Sequence, residues 1–237
     1  MNPRNFESPA TVSPVAKSFS LKVGPQMNRR DWVICAAGAT LAGLGLPLQA
    51  QGGPPVEGRD YLRVAQPVPV PDGKVDVVEF FGYWCPHCNA FEPVLDAWAK
   101  KLPAYVNFRR MPVAFNAAHE PMQRLFFALD SLGLVESLHR KVFAALHVQR
   151  LRLDKEADIG DWVKNNGADA TKVLDAMKSF SVATKIRQSK QLAEGFKIDG
   201  VPTLGIQGRF MTSPSIAGTP ERALAAADAL IAQSHKA

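Results

Sequence analysis

The stretch Val75-Asp76-Val77-Val78-Glu79-Phe80-Phe81-Gly82-Tyr83-Trp84-Cys85-Pro86-His87-Cys88 changes backbone preference halfway along. Val75 to Phe81 is mostly β-branched or aromatic and reads as a buried strand, which Gly82 ends. A helix is expected from about Cys85 to Lys101, with Phe91, Val94, Leu95 and Trp98 on one apolar face. Pro86 suits its first turn, where a missing N–H costs no helical hydrogen bond. Pro93, inside the helix, predicts a kink. Glu79 stands out in the strand, because a carboxylate in an apolar run is costly unless paired, functional or turned outward.

The two cysteines are three residues apart at a strand-to-helix transition. On a helix that spacing puts both on one face, so their sulfurs can approach bonding distance. Cys85 falls at the helix start, where free backbone N–H groups and the helix dipole favour an anion. That lowers the thiol's pKa and supplies the reactive thiolate. A protonated His87 adds favourable charge beside it. Other uses of the pair fit less well. A zinc site wants four ligands, and His119, His139, His147 and His235 show no ligand spacing. A c-type haem requires His after the second cysteine, but Asn89 is there. A structural disulfide closing so small a loop stabilises little. Redox chemistry is the favoured reading, with no metal at the site.

Working outward, Tyr61 to Val64 reads as a short edge strand, and Pro67 to Gly73 is too proline-rich for a helix. Val106 to Met111 is the next strand. Between about Asn116 and Phe196 apolar residues recur at helical spacing, giving four or five helices with Gly133, Gly160 and Gly167 as stops. Strands return at Thr203–Gln207 and around Arg209–Thr212, and a helix from Pro220 to Ala232 closes the chain. A strand–helix–strand unit and a later hairpin can share one sheet, with a helical block inserted between them. The fold class is therefore α/β.

The 237 residues, 46% hydrophobic, suffice for a real core. The formal net charge of +6 is spread without a basic cluster, which argues against nucleic-acid binding. Met27-Asn28-Arg29-Arg30, the apolar run Trp32 to Leu48 and the small residue Ala50 form the pattern of a secretory signal. Met27 is then a candidate start. The run is shorter than the roughly 20 residues that span a bilayer. Arg29-Arg30 resembles a twin-arginine signal, but paired basics are common in ordinary signals, so the Sec route is favoured. Cys35 reads as a small apolar residue of that signal; cleavage leaves Cys85 and Cys88 as the only cysteines.

The segment Val77 to Glu92, with Cys85-Pro86-His87-Cys88 at its centre, and the loop Gly200-Val201-Pro202-Thr203 resemble the DsbA family of bacterial periplasmic disulfide oxidases. The resemblance implies a thioredoxin-like fold with an inserted all-helical domain. Residues 1–50 would be an export segment, 51–115 and 197–237 the two parts of the thioredoxin-like domain, and 116–196 the insertion. It further implies that Cys85 is the exposed nucleophile and Cys88 its buried partner, and that Pro202 is cis with Val201 beside the disulfide. Glu79 takes a role in proton movement at the buried cysteine, against the alternative of an outward strand position. Glu92 matches a family acidic position, against the alternative of a solvated helix face. Tyr83, Trp84 and Phe115 are candidates for an apolar substrate surface, and Gly205-Ile206-Gln207 for substrate preference.

A helix-start thiolate stabilises the reduced form, so the disulfide is expected to be an electron acceptor. The expected activity is donation of the Cys85–Cys88 disulfide to reduced exported proteins through a mixed disulfide on Cys85, in the periplasm, with no other cofactor. The resemblance implies a quinone-linked inner-membrane reoxidase of the DsbB type as partner. The alternatives are a periplasmic reductase or isomerase, and a metal carrier using the two thiolates with His87. Isomerases of the superfamily usually carry a dimerising N-terminal domain, for which Gln51 to Gly73 offers no room. A monomer is expected.

Overall fold

The structure is a computed structural model and describes residues 53–236. The signal readings, including Met27, Arg29, Arg30 and Cys35, lie outside the described residues. A five-stranded sheet has the order β1-β5-β4-β2-β3, from β1 Leu62–Arg63, β2 Val75–Phe81, β3 Val106–Pro112, β4 Thr203–Ile206 and β5 Phe210–Thr212. β2 runs parallel to β3 and antiparallel to β4. Its flanking helix α1 (Pro86–Ala99) passes through Pro93 as a single element.

All seven residues of β2 are buried. Val75 and Val77 face α1 and the C-terminal helix α8 (Pro220–His235), packing with Phe91, Leu95, Ala227 and Ile231. Val78 and Phe80 face the opposite way, onto Val64, Val113 and Phe196. Each such side chain contributes about 1.5–3 kcal/mol on burial, so β2 anchors both halves of the core. No outward face exists on this strand, and Glu79 points inward.

Between β3 and β4 lie α2 (Glu120–Ser131), α3 (Val135–His147), α4 (Glu156–Asn165), α5 (Ala170–Lys178) and α6 (Phe180–Phe196), preceded by a 3-10 turn at Ala117–His119. Gly133 and Gly167 take positive φ beyond helix ends, as their positions suggested. Gly160 does not stop a helix: it sits inside α4, where a Cβ would come 3.2 Å from Leu174 of α5. It serves close helix packing. The short helix α7 (Pro214–Ala217) was not read from the sequence.

The helical block is tied to the sheet at the end of β3. The Pro112 carbonyl accepts from Gln123 Nε2 at 2.9 Å and from Ser189 Oγ at 2.6 Å. Gly205, expected to influence substrate preference, is buried instead: a Cβ there would come 2.5 Å from the Phe196 ring and 2.9 Å from Val78. Gly205→Ala should therefore destabilise the protein by about 1–3 kcal/mol, checked by denaturant unfolding, with the reactivity of the cysteine thiols retained.

Candidate active site

Gly82-Tyr83-Trp84 turns the chain from β2 into α1, and Cys85 caps the helix in extended conformation (φ −89°, ψ 118°) with Pro86 at the first position. Both cysteines are free thiols. The peptide bond Val201–Pro202 is cis, and the Val201 carbonyl accepts from Cys85 Sγ at 3.4 Å. Pro202 and Thr203 are buried, with Thr203 Oγ1 donating to the Gly200 carbonyl at 2.9 Å. Tertiary structure thus brings Val201 to Cys85 across 116 positions of sequence.

Cys85 is more enclosed than an exposed nucleophile would be, at 4% exposure against 1% for Cys88. The reason is the Val201–Pro202 loop and the turn, which close over it; Pro86 and His87 next to it are exposed. The Cys85 thiol is brought down to about 6, chiefly because the Cys88 S–H donates to it, aided by the backbone N–H groups of Cys88 and His87 and the His87 charge. Burial opposes that. Burial pushes the Cys88 thiol far up, and the hydrogen bond it gives to Cys85 adds to the rise.

Beneath the cysteines lies a buried charged set. Parallel register places Glu79 of β2 opposite Arg110 of β3. Arg110 Nε lies 3.2 Å from Glu79 Oε2 without making a hydrogen bond. Arg110 Nη2 donates to Glu92 Oε1 at 2.6 Å, and Asp96 is 3.9 Å away. Burial, then the Glu92 charge, push the Glu79 carboxyl up to about 8, with Arg110 opposing. Glu92 is 3% exposed, so the solvated-face reading is wrong: α1 turns this residue toward β3 and α3.

Sequence reasoning missed Arg110, His139 and His147. His139 Nδ1 lies 2.8 Å from the Tyr83 hydroxyl and its Nε2 lies 3.4 Å from Glu92 Oε1. His147 Nε2 meets the Tyr83 carbonyl oxygen at 2.7 Å. The available signal was that His139 shares an apolar helix face with Val142 and Phe143. Tyr83 is no surface residue, being 1% exposed among Phe81, Phe126 and Phe143. Trp84 is half-buried, stacks on His119 at 3.9 Å and meets exposed Phe115 edge-on at 5.6 Å. Those two can present an apolar rim. Among the described residues, no group of three or more His, Cys, Asp or Glu is placed to hold a metal ion.

A reactive thiol at a helix N-terminus, a buried partner three residues on and a facing cis-proline loop on this sheet define a thioredoxin-fold dithiol oxidoreductase. Residues 76–218 match the family of DSBA-like thioredoxin domains. The chain is 42% identical over 190 residues to the thiol:disulfide interchange protein DsbA of Bordetella parapertussis, covering 79% of this chain and 88% of that protein. It is 36% identical over 209 residues to DsbA of Pseudomonas aeruginosa, covering 88% and 98%. The crystal structure of Pseudomonas aeruginosa DsbA superposes with a TM-score of 0.73 at 36% identity, covering 76% of this chain and 94% of that one. The chain belongs to the DsbA family of thiol:disulfide interchange proteins.

The split in acidity has a readable consequence. Thiolate absorbance of the reduced protein should rise with a midpoint near pH 6 from Cys85, with no second thiolate at neutral pH. Because the folded thiol ionises below an unfolded one, its contribution to the stability of the reduced protein is full above about pH 9 and lost as pH falls to 6. Denaturant unfolding of the reduced form across that range checks the sign.

Proposed function

We propose that this protein oxidises reduced exported proteins in the periplasm, giving up the Cys85–Cys88 disulfide through a mixed disulfide on Cys85. The observation that carries the reading is the placement of Cys85 as the cap of α1 against the cis Val201–Pro202 loop, with Cys88 buried one turn on. The two thiols are accordingly displaced in opposite directions, Cys85 down to about 6 and Cys88 far up. A substrate thiolate attacks Cys85 Sγ, the Cys85–Cys88 bond breaks, and its electron pair goes to Cys88 Sγ. Cys88 is a poor anion and takes a proton as it leaves. Glu79 is the proposed source: its carboxyl, pushed up to about 8, holds a proton at neutral pH, and its charge acts on Cys88. A second substrate thiolate then attacks the substrate sulfur of the mixed disulfide, and Cys85 leaves as a stable thiolate.

The sum is one disulfide formed in the substrate and one dithiol left on the protein. The two sulfurs carry the electron pair, so the step calls for no further cofactor. The 3.4 Å contact of Cys85 Sγ with the Val201 carbonyl supports Val201, Pro202 and Thr203 as the proposed substrate loop. Pro86 and His87 shape the thiolate's surroundings, and Trp84 with Phe115 offers apolar contact. Regeneration removes two electrons and the Cys88 proton, a step which we assign to a quinone-linked membrane reoxidase of the DsbB type. Export by a Sec signal and action as a monomer complete the proposal.

Cys88→Ser, mixed with a disulfide-linked cysteine peptide, should accumulate the Cys85–peptide mixed disulfide as one peptide thiol leaves, seen by mass spectrometry, and Cys85→Ser should abolish it. Equilibration of the full chain with glutathione should give a potential well above that of thioredoxin. A thioredoxin-like value would reverse the assigned direction.

A further inference from the structure

Two contacts in the buried set stop short of being made: Arg110 Nε to Glu79 Oε2 at 3.2 Å and His139 Nε2 to Glu92 Oε1 at 3.4 Å. The second involves a ring whose protonation geometry fixes. Burial keeps His139 neutral and the Tyr83 hydroxyl protonated. A phenol O–H donating to Nδ1 at 2.8 Å leaves the single ring proton on Nε2. The opposite tautomer would aim a lone pair at the Glu92 carboxylate. Nε2–H therefore faces Glu92 at 3.4 Å without meeting hydrogen-bond geometry.

We propose that His139 is a positioning residue for disulfide exchange, taking over the hydrogen bonding of Glu92 as Arg110 turns to the Glu79 carboxylate that has just given its proton to Cys88. The proposal rests on the reading of Glu79 as that proton's source. One proton passes from the Glu79 carboxyl to Cys88 Sγ, Glu79 becomes an anion, and His139 keeps its own proton throughout. Arg110 is shared between two carboxyls and satisfies Glu92 alone in the reduced protein. When both are charged, a second donor on Glu92 frees the guanidinium for Glu79.

The groups facing this site come from every neighbouring element. α1 contributes Cys88, Glu92 and Asp96, β3 contributes Arg110, the turn contributes Tyr83, and α3 contributes His139; Leu204 of β4 is apolar. Arg140, Glu136 and Lys100 line a cavity of about 120 Å³ with Glu92 and His139. Among these His139 alone reaches both the active-site turn and a carboxylate of the pair. The sign of its effect is fixed. Its N–H stabilises the state with both carboxyls charged, so removing it raises the pH at which the pair loses its last proton, whichever carboxyl holds it.

The test is ¹³C NMR titration of glutamate-labelled full-length protein, together with the rate of disulfide donation to a reduced cysteine peptide. His139→Leu should move the carboxyl midpoint from about 8 to higher pH, by about one pH unit, and slow donation at neutral pH by about three- to tenfold. The Cys85 thiolate midpoint near pH 6 should stay, which a general loss of structure would not allow. Tyr83→Phe, which removes only the hydroxyl that fixes the tautomer, should act in the same direction with a smaller size, and decides the matter if His139→Leu does not fold. Glu79→Gln should abolish the titration and slow donation. If Glu79→Gln slows donation while the midpoint is unmoved in the His139 and Tyr83 variants, the role of His139 is overturned and the proton source stands. If Glu79→Gln leaves the rate unchanged, the proton-source reading itself fails.

Discussion

The unequal placement of two thiols at the start of one helix sets the terms for this molecule. Cys88 steadies charge on Cys85 beside it, while burial, then the neighbouring Cys85, holds the proton on Cys88. Position does the rest. Cys85 sits where the first backbone N–H groups of α1 point, while Cys88 lies one turn deeper with 1% exposure. One sulfur leaves readily as an anion and the other cannot leave without a proton. Below the helix the fold buries a carboxylic acid, Glu79, pushed up to about 8.

That acid is a product of sheet topology. β2 has neighbours on both edges and packing on both faces, so alternation along the strand sends Val75, Val77 and Glu79 to the side that α1 covers. Parallel pairing then supplies Arg110 opposite Glu79, and α1 supplies Glu92. One guanidinium between two buried carboxyls stabilises one of them as an anion and leaves the other to hold a proton. Burying a guanidinium with two carboxyls is costly, and a proton on the second carboxyl limits that cost by leaving one charge of each sign.

The helical insertion, seen from the site, is a brace. α3 touches Tyr83 at both ends, His139 at the hydroxyl and His147 at the main-chain oxygen. α2 and α6 hold the last carbonyl of β3 through Gln123 and Ser189. The turn that carries Cys85 is thereby gripped from the insertion, and the strand that carries Arg110 is fixed at its C-terminal end.

What could be read along the chain was what depends on neighbours in sequence. The β-branched and aromatic run of β2, the break at Gly82, the proline at the first turn of α1 and the cysteine spacing are local facts. They were enough for the strand–helix unit, the redox pair and the fold class. The loop around Pro202 was legible only through family resemblance, since nothing within Gly200 to Thr203 reports a partner at Cys85. The inward turn of Glu79 was ambiguous because a strand does not state how many of its faces are covered. Arg110, His139 and His147 were invisible for a related reason: their partners lie 18 to 64 positions away. Burial and long-range electrostatics are properties of packed surfaces, and only the tertiary structure brings those surfaces together.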